Sequence, residues 1–204
     1  VLHGPRSLST DESCQGRTPK ARGSCGCPCR RREVVRPTEE LMHEHEVITL
    51  VLGAAAAEAG RILDTRAAHP GIVEQMLDFF RNFTDRCHHA KEEKHLFPLL
   101  ESKGMPHGGG LIASLLSDHE EGRALLSAVS EALPEAVRGD AAAVRIVSNS
   151  LGSYVRLLEE HIDKENEVLF PMAERMLSSE DGARLEAAFA EVEEQETGAG
   201  VHEK

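Results

Sequence analysis

Two eleven-residue stretches of the chain carry the same six residues at the same positions. They run from His88 to Pro98 and from His161 to Pro171, and both read H-x-x-K-E-x-x-x-L-F-P. Residues four apart on a helix lie on one face, so each His-x-x-x-Glu directs an imidazole and a carboxylate toward one point. Imidazole and carboxylate without thiolate suit iron or manganese better than a soft metal.

A further histidine precedes each stretch at a nearly equal distance. His45 lies 43 residues before His88, and His119 lies 42 residues before His161. The chain is therefore interpreted as a duplicated unit, and two units facing each other would supply enough donors for two metal ions. The predicted metal ligands are His45, His88, Glu92, His119, His161 and Glu165.

The alternative is that these are ordinary core or surface residues. A lone histidine on an apolar face is usually part of the core, and a lone His-x-x-x-Glu is a common surface pair. Here the whole pattern repeats in register, and all four histidines fall on apolar helical faces. Two buried carboxylates at such positions would need cations to offset their desolvation.

Helical periodicity begins at Pro37 and predicts four long helices. The first ends at the break Ala67–Gly71, and the second extends from about residue 71 to 102. A loop over Lys103–Gly110 precedes the third helix. Four long helices with short connections favour an all-α protein, an up-down-up-down four-helix bundle with a short extra C-terminal helix.

The later helices are expected to be delimited by turn residues. Pro134 and Gly139-Asp140 mark the connection to the fourth helix, with Asp140 as its N-cap, and Ser179 is the expected cap of the fifth. Pro98 and Pro171 are expected to kink or end the second and fourth helices. The inward lines predicted for these two helices are Leu77, Phe80, Thr84, His88, Glu92, Leu96 and Leu99, and Tyr154, Leu158, His161, Glu165, Leu169 and Met172.

The N-terminal segment differs from the rest in composition. Residues 1–36 hold eight of the 23 basic residues, three of the 35 acidic residues and four of the five cysteines. They are predicted to form a disordered basic tail, whose Cys25, Cys27 and Cys29 could bind a soft metal. Whether this tail belongs to the natural product stays open. Residues 37–178 are predicted to form the bundle, and 179–204 a C-terminal helix and a frayed end.

Charge and hydropathy restrict the partners. The net charge is −12, and the acidic residues concentrate after residue 36, which argues against nucleic acid as a partner. No apolar run reaches the 18 or so residues of a membrane span, and no signal peptide is recognisable. Cys87 is the one cysteine after residue 36, which fits a reducing compartment. A cytoplasmic location without membrane contact is expected.

The repeated His and His-x-x-x-Glu pattern and the two Leu-Phe-Pro signatures make the chain resemble the hemerythrin-like, or HHE cation-binding, family over roughly residues 38–177. The resemblance implies a helical bundle with a non-haem di-iron centre. The two Fe ions would be bridged by an oxo or hydroxo oxygen and by two carboxylates. Manganese or zinc is the less favoured alternative.

The same resemblance implies how the ligands are shared. His45 and His88 would serve one iron, and His119 and His161 the other. The bridging carboxylates would be Glu92 and Glu165.

Two positions depart from the oxygen-carrying members of the family. Those members have a histidine and an aspartate where this chain has Arg123 and Asn166, so a dedicated oxygen-transport role is doubtful. His89 stands where some members place an extra ligand and could replace the missing donor. Arg123 could donate to a bound anion or be an ordinary surface residue.

Three other residues leave alternatives open. Gly122 could open space for a diatomic ligand or accommodate packing. The hydroxyl of Tyr154 could approach the metals, or the residue could belong to the core. Cys87 is most simply a small buried residue, because a redox role needs an exposed thiolate.

Three functions compete. The first is a protein that binds or senses O2, NO or peroxide in an apolar pocket, with a small diatomic or peroxide molecule as its partner. The second is an enzyme that decomposes peroxide or handles iron. Ferritin-type sites use Glu-x-x-His rather than His-x-x-x-Glu, which disfavours ferroxidase but leaves a catalase-like activity open. The third is a regulatory bundle that metal only stabilises. The sequence identifies no protein partner.

Overall fold

The computed structural model describes residues 37–196, and within them every regular element is a helix. Helix α1 is Pro37–Thr65, α3 is Gly110–Val137 and α5 is Ser179–Glu196. Helices α2 and α4 are longer composite runs. The all-helical prediction is thus confirmed for this part of the chain. The expected tail with its cysteines and the expected frayed end at 197–204 lie outside the described residues.

Helix α2 is an unbroken helical run that contains two π-helical segments. An α-helical segment, Pro70–Phe79, leads into a π-helical segment, Phe80–His89. A second π-helical segment, Glu92–Leu96, is followed by the α-helical segment Phe97–Ser102. π-Helical turns are rare and concentrate at functional sites, and here they hold two of the predicted ligands.

Helix α4 repeats this arrangement. Its α-helical segment Ala141–Lys164 leads into the π-helical segment Glu165–Leu169, and Phe170–Met176 is α-helical again. The π-helical turns before Pro98 and Pro171 therefore match in the two repeats. Pro98 and Pro171 were expected either to kink or to end their helices. Neither proline ends its helix, because the helices continue to Ser102 and Met176.

The π-helical turns shift which residues face inward. In an α-helix, a residue four positions further along is rotated about 40° beyond a full turn, so a four-residue spacing gradually leaves the inward face. A π-helical turn contains more residues and offsets much of this rotation. Leu100 and Ala173 are therefore fully buried. The prediction that Met172 faces inward is wrong, since it is exposed. Leu99 is half-buried and packs against the core, but less deeply than Leu100.

Two helix boundaries also differ from the prediction. Pro134 lies inside α3, and the connection to α4 consists of residues 138–140. Asp140 is confirmed as the N-cap, because its carboxylate accepts hydrogen bonds from the backbone N–H groups of Ala142 and Ala143. The residue that caps α5 is Ser178 rather than Ser179, since the Ser178 hydroxyl accepts from the N–H of Asp181.

The helices enclose two apolar clusters. Helix α4 packs against α1 and α3, while α5 packs against α1 and the π-helical part of α2. One cluster includes Ile48, Phe80, Leu126 and Leu158, and the other includes Leu41, Leu96, Leu115 and Leu169. On each of the four long helices the predicted ligands fall between a residue of one cluster and a residue of the other. No helix within residues 37–196 is long and apolar enough to cross a bilayer.

Gly122 accommodates packing, which answers one open question. A Cβ atom at this position would lie 3.3 Å from a ring carbon of Tyr154 and 3.7 Å from Leu158. The space beside Gly122 is therefore filled by the tyrosine ring. Tyr154 itself is buried in the apolar cluster, with its ring centroid 4.7 Å from that of Phe80.

Two glycine substitutions should have opposite effects on stability. Gly122→Val should lower the free energy of unfolding of the metal-free protein by roughly 1–3 kcal/mol, because the larger side chain displaces Tyr154. Gly53→Ala should raise it by roughly 0.5–1 kcal/mol, since this exposed α1 position has nothing within 4 Å of an added Cβ. Urea unfolding followed by circular dichroism measures both. Equal stabilisation by the two substitutions would contradict the packing account.

Candidate metal centre

The six predicted ligands meet in the middle of the described helices. His45 comes from α1, and His119 from α3. Helix α2 supplies His88 and Glu92, and α4 supplies the equivalent histidine and glutamate. None of the six side chains is more than 2% exposed: His45, His88, Glu92, His119, His161 and Glu165.

The four histidines form two close pairs through their Nε2 atoms. In the first imidazole pair, Nε2 of His45 lies 3.0 Å from Nε2 of His88. In the second imidazole pair, Nε2 of His119 lies 3.1 Å from Nε2 of His161. Each pair joins helices that are consecutive in the chain, one pair in each repeat.

Both carboxylates reach from one pair to the other. One oxygen of Glu165 lies 3.2 Å from Nε2 of His45 and 3.3 Å from Nε2 of His161. The two oxygens of Glu92 lie 3.6 Å from Nε2 of His88 and 3.5 Å from Nε2 of His119. The carboxylates therefore lie between the imidazole pairs, where groups that bridge two ions would have to lie.

The outer nitrogens of the first imidazole pair have hydrogen-bond partners. Nδ1 of His88 lies 2.8 Å from a carboxylate oxygen of Glu44. Nδ1 of His45 lies 2.9 Å from the side-chain oxygen of Asn166. Since both partners are acceptors, each Nδ1 carries the proton, and each neutral ring then has a lone pair on Nε2.

The second imidazole pair has the equivalent partners. Nδ1 of His119 lies 2.7 Å from a carboxylate oxygen of Glu93. Nδ1 of His161 lies 3.5 Å from a carboxylate oxygen of Asp118, a long contact. Such outer acceptors fix the tautomer and orientation of metal-binding histidines and raise the basicity of the inner nitrogen.

The inner atoms lack the donors that their burial requires. Two lone-pair nitrogens about 3 Å apart repel each other unless a cation or proton lies between them. None of the oxygens of Glu92 and Glu165 accepts a hydrogen bond, although all are buried. Burying unpaired polar atoms costs several kcal/mol. The donor set therefore fits cations and fits an empty polar core poorly.

Burial and neighbouring charges set the protonation of the site. Burial raises the pKa of Glu92 well above its usual value, and the nearby charge of Glu165 raises it further. Burial lowers the pKa of His88 to about 4 despite its hydrogen bond to Glu44. Burial alone would raise the pKa of Glu44, but the contacts with His88 and Lys91 outweigh it and leave the pKa at about 2.

A fifth imidazole belongs to the same cluster. His89 is 4% exposed, and it has a ring nitrogen within 4.8 Å of ligand atoms of Glu92, His119 and His161. Its ring stacks on that of His119, with centroids 3.8 Å apart. Its Nδ1 lies 3.4 Å from Asp85, and neither ring nitrogen makes a hydrogen bond. The equivalent residue in the second repeat is Ile162.

The Leu-Phe-Pro signature also contributes to the site. Phe170 stacks on the ring of His45 at 5.5 Å between centroids, and Phe97 stacks on His119 at 6.0 Å. Each phenylalanine thus packs on the upstream histidine of the other repeat. The two aromatic rings close the site against the second apolar cluster.

The remaining candidates lie outside the six-residue cluster. Arg123 is 40% exposed and binds Glu93 and Asp85, so it supports outer carboxylates rather than facing the inner atoms. Burial raises the pKa of Cys87 to about 12, and this fully buried thiol does not suit redox chemistry. His43 is exposed and pairs with Glu46.

Sequence reasoning missed the outer partners, although a signal for them was present. An acid precedes the upstream histidine in both repeats, as Glu44 and Asp118, and the motif lysine repeats as well. Glu92 and Glu165 are each followed by a polar residue, Glu93 and Asn166. These two residues contact the equivalent histidines His119 and His45 but differ in type. Repetition of polar residues beside predicted ligands could have pointed to all four partners.

The buried cluster of imidazoles and carboxylates on facing helices defines a helical cation-binding domain. Residues 36–173 match the Hemerythrin HHE cation binding domain, and the chain belongs to this family. The resemblance seen in the sequence is thereby confirmed. Helix α5, which begins at Ser179, lies outside the matched residues.

Relatives of the chain occur in mycobacteria. Uncharacterized proteins of Mycobacterium tuberculosis and Mycobacterium bovis are 26% identical to it over 188 residues. The similarity covers 91% of this chain and 72% of each relative, so it extends beyond the residues matched by the family. No solved structure matches the chain with statistical significance.

Metal binding should release protons at pH values below the raised pKa of Glu92. The raised pKa of Glu92 keeps a fraction of this group protonated in the metal-free protein, while a metal-binding carboxylate must be deprotonated. The release should decline as the pH rises through that pKa. Titration calorimetry in buffers of different ionisation enthalpy measures the protons released, and Glu92→Gln should release fewer. A binding heat that is the same in all buffers would refute this expectation.

Proposed function

We propose that the chain holds two iron ions between its imidazole pairs and uses them to bind or sense O2, NO or peroxide. The observation that carries the proposal is a buried space in which two pairs of Nε2 atoms face two carboxylates whose oxygens make no hydrogen bond. Iron held by these residues would supply redox chemistry and could bind such a ligand.

The donor set supports iron over other ions. Nitrogen and oxygen donors without a thiolate suit iron or manganese, whereas structural zinc sites commonly include cysteine. Two carboxylates balance part of the charge of two divalent ions. In the proposed arrangement His45 and His88 hold one ion, His119 and His161 hold the other, and the carboxylates that bridge them are Glu92 and Glu165.

The helix arrangement supports such a bridged pair. The short connections between α1, α2, α3 and α4 favour antiparallel neighbours, and we infer an up-down-up-down four-helix bundle. Each of the four helices then contributes one histidine, and the second and fourth contribute the glutamates. The outer hydrogen bonds hold the rings in place before a metal arrives, which lowers the cost of organising the site.

The surroundings favour a sensor or binding protein over a dedicated oxygen carrier. Asn166 and Arg123 replace two ligands of the carriers, and both are engaged in outer hydrogen bonds instead. The apolar clusters on both sides exclude water from the inner atoms. A water-poor space suits a small uncharged molecule such as O2 or NO.

His89 is proposed as an additional donor to the second ion. Its burial, its unpaired nitrogens and its place beside His119 support this role. The second ion would then have three imidazoles, and the first would have two.

The iron content of the purified chain tests the proposal. Reconstituted protein should hold two iron ions, and His45→Ala and His161→Ala should each reduce that number because each removes one donor from a different pair. Metal analysis by mass spectrometry counts the ions. The matched control is His107→Ala, because this histidine is 87% exposed and pairs with Glu101. Zinc alone in protein grown with both metals would contradict the iron assignment.

The reaction of the reduced iron protein separates the competing functions. A binding or sensing protein should change its absorption spectrum on addition of O2, NO or peroxide and then stay in the new state. Steady oxygen release from peroxide, abolished in His161→Ala, would instead identify a catalase-like enzyme. A spectrum that none of the three changes, combined with a lower melting temperature after iron removal, would leave only a metal-stabilised bundle.

The His89 assignment has its own test. His89→Ala should weaken the binding of one of two iron ions by roughly tenfold or more, the effect expected for loss of a supporting ligand. The iron content measured against a chelator of known affinity gives this change. Equal affinities of wild type and His89→Ala for both ions would place His89 outside the ligand set.

A further inference from the structure

Lys91, the lysine of the first repeated motif, is fully buried although it carries a charge. Its ammonium group lies 2.6 Å from a carboxylate oxygen of each of three glutamates. Two of them, Glu40 and Glu44, belong to α1, and the third, Glu193, belongs to α5. The ring of Phe189, also from α5, lies 5.5 Å from the ammonium nitrogen. Helix α5 therefore covers a buried charge.

The buried lysine is connected to a predicted metal ligand. Glu44 accepts from Lys91 with one carboxylate oxygen and contacts Nδ1 of His88 with the other. A continuous chain of polar contacts thus runs from Glu193 through Lys91 and Glu44 to His88. We call these four residues the α5 relay.

The second repeat has a weaker version of this arrangement. Lys164, the equivalent lysine, lies 2.7 Å from Asp118, and its side chain is 36% exposed. Asp118 lies 3.5 Å from Nδ1 of His161, compared with 2.8 Å for the contact between Glu44 and His88. The repeats therefore share the plan of lysine, acid and histidine, but α5 reinforces only the first.

We propose that Lys91 and Glu193 are positioning residues for the first imidazole pair. Helix α5, which lies outside the residues matched by the family, supplies the carboxylate that holds Lys91 in place. Lys91 in turn holds Glu44, and Glu44 orients the ring of His88. This inference rests on the proposed function, since its consequence is a difference in affinity between the two ions.

Repulsion among the three carboxylates explains why the lysine is needed. Ligand oxygens of Glu40, Glu44 and Glu193 lie within 4.8 Å of one another. Without Lys91 their charges would repel strongly in a partly buried space. Glu40 and Glu193 are 32% and 31% exposed and can turn toward water, whereas Glu44 at 8% cannot. Glu44 would therefore lose the contact that fixes its carboxylate and would hold the ring of His88 less firmly.

Removal of the Glu193 charge should also weaken the contact between Glu44 and His88, but less than removal of Lys91 does. Glu193→Gln keeps the size of the side chain but removes one negative charge from the surroundings of Lys91. The ammonium then loses one of the charged acceptors that hold it in place, so Lys91 positions Glu44 less firmly. The acceptor of His88 is weakened but remains present.

Titration of the metal-free full chain with Co²⁺ alone tests the inference, because Co²⁺ absorption reports each binding event. The wild type should bind two ions. Lys91→Met should weaken one of them by roughly 10- to 100-fold, the usual cost of losing an outer partner. The other ion should change by less than about threefold, since its own outer partners remain. Glu193→Gln should weaken the same ion by a smaller factor.

A double variant tests whether Glu193 acts through Lys91. If it does, Glu193→Gln should add nothing to the effect of Lys91→Met, as a double-mutant cycle would show. The matched control is Glu194→Gln, which removes the same charge from an exposed neighbour on the same helix. Lys164→Met should weaken Co²⁺ binding less than Lys91→Met does, because its contacts are longer and more exposed.

Several outcomes would overturn the inference. Lys91→Met and Glu193→Gln with wild-type affinities, an equal weakening of both ions, or additive effects in the double variant would each do so. If the wild type binds no Co²⁺ at all, the proposed metal site fails and the inference fails with it. Two ions bound by the wild type and unchanged in both variants would overturn the α5 relay alone. Melting of the metal-free variants separates a general loss of stability from a selective loss of one ion.

Discussion

The main physical constraint on this structure is the desolvation free energy of four imidazoles and two carboxylates that are buried facing one another. Four Nε2 atoms and two carboxylates meet in a fully buried space, and within the described helices the glutamate oxygens make no hydrogen bond. Such an arrangement is unfavourable without cations, since each unpaired buried group loses its hydration. The apolar clusters on either side increase this cost, and they also strengthen the attraction for any cation that enters. The same burial that disfavours the metal-free site favours the metal-bound one.

Each repeated residue of the H-x-x-K-E-x-x-x-L-F-P motif has a physical role in the structure. The histidine points its Nε2 inward, and the glutamate reaches the opposite imidazole pair. The lysine holds the acid that orients this histidine, and the phenylalanine stacks on the upstream histidine of the other repeat. The leucine belongs to the apolar cluster, and the proline follows the π-helical turn. Each repeat therefore completes the site of the other, and neither would form it alone.

The sequence predicted the helices and the six inner residues because both depend on local spacing. The outer partners depend on contacts between distant segments, such as Asn166 with His45 over 121 residues, which spacing does not reveal. The π-helical turns changed the helical period, so the inward residues after them were predicted one position too early. Lys91 was missed because a lysine in a polar motif normally lies at the surface, and its burial requires a helix that the motif does not contain.

The two halves have kept the same inner donors but not the same surroundings. The first imidazole pair has one amide and one carboxylate as outer acceptors, whereas the second has two carboxylates and lies beside His89. A carboxylate acceptor makes an imidazole a stronger donor than an amide acceptor does. The first pair compensates with an acid held in place by the buried Lys91 and by α5. Identical ligands with different outer charges make the two positions chemically unequal, so two ions bound there would differ in affinity and in their preference for oxidation state.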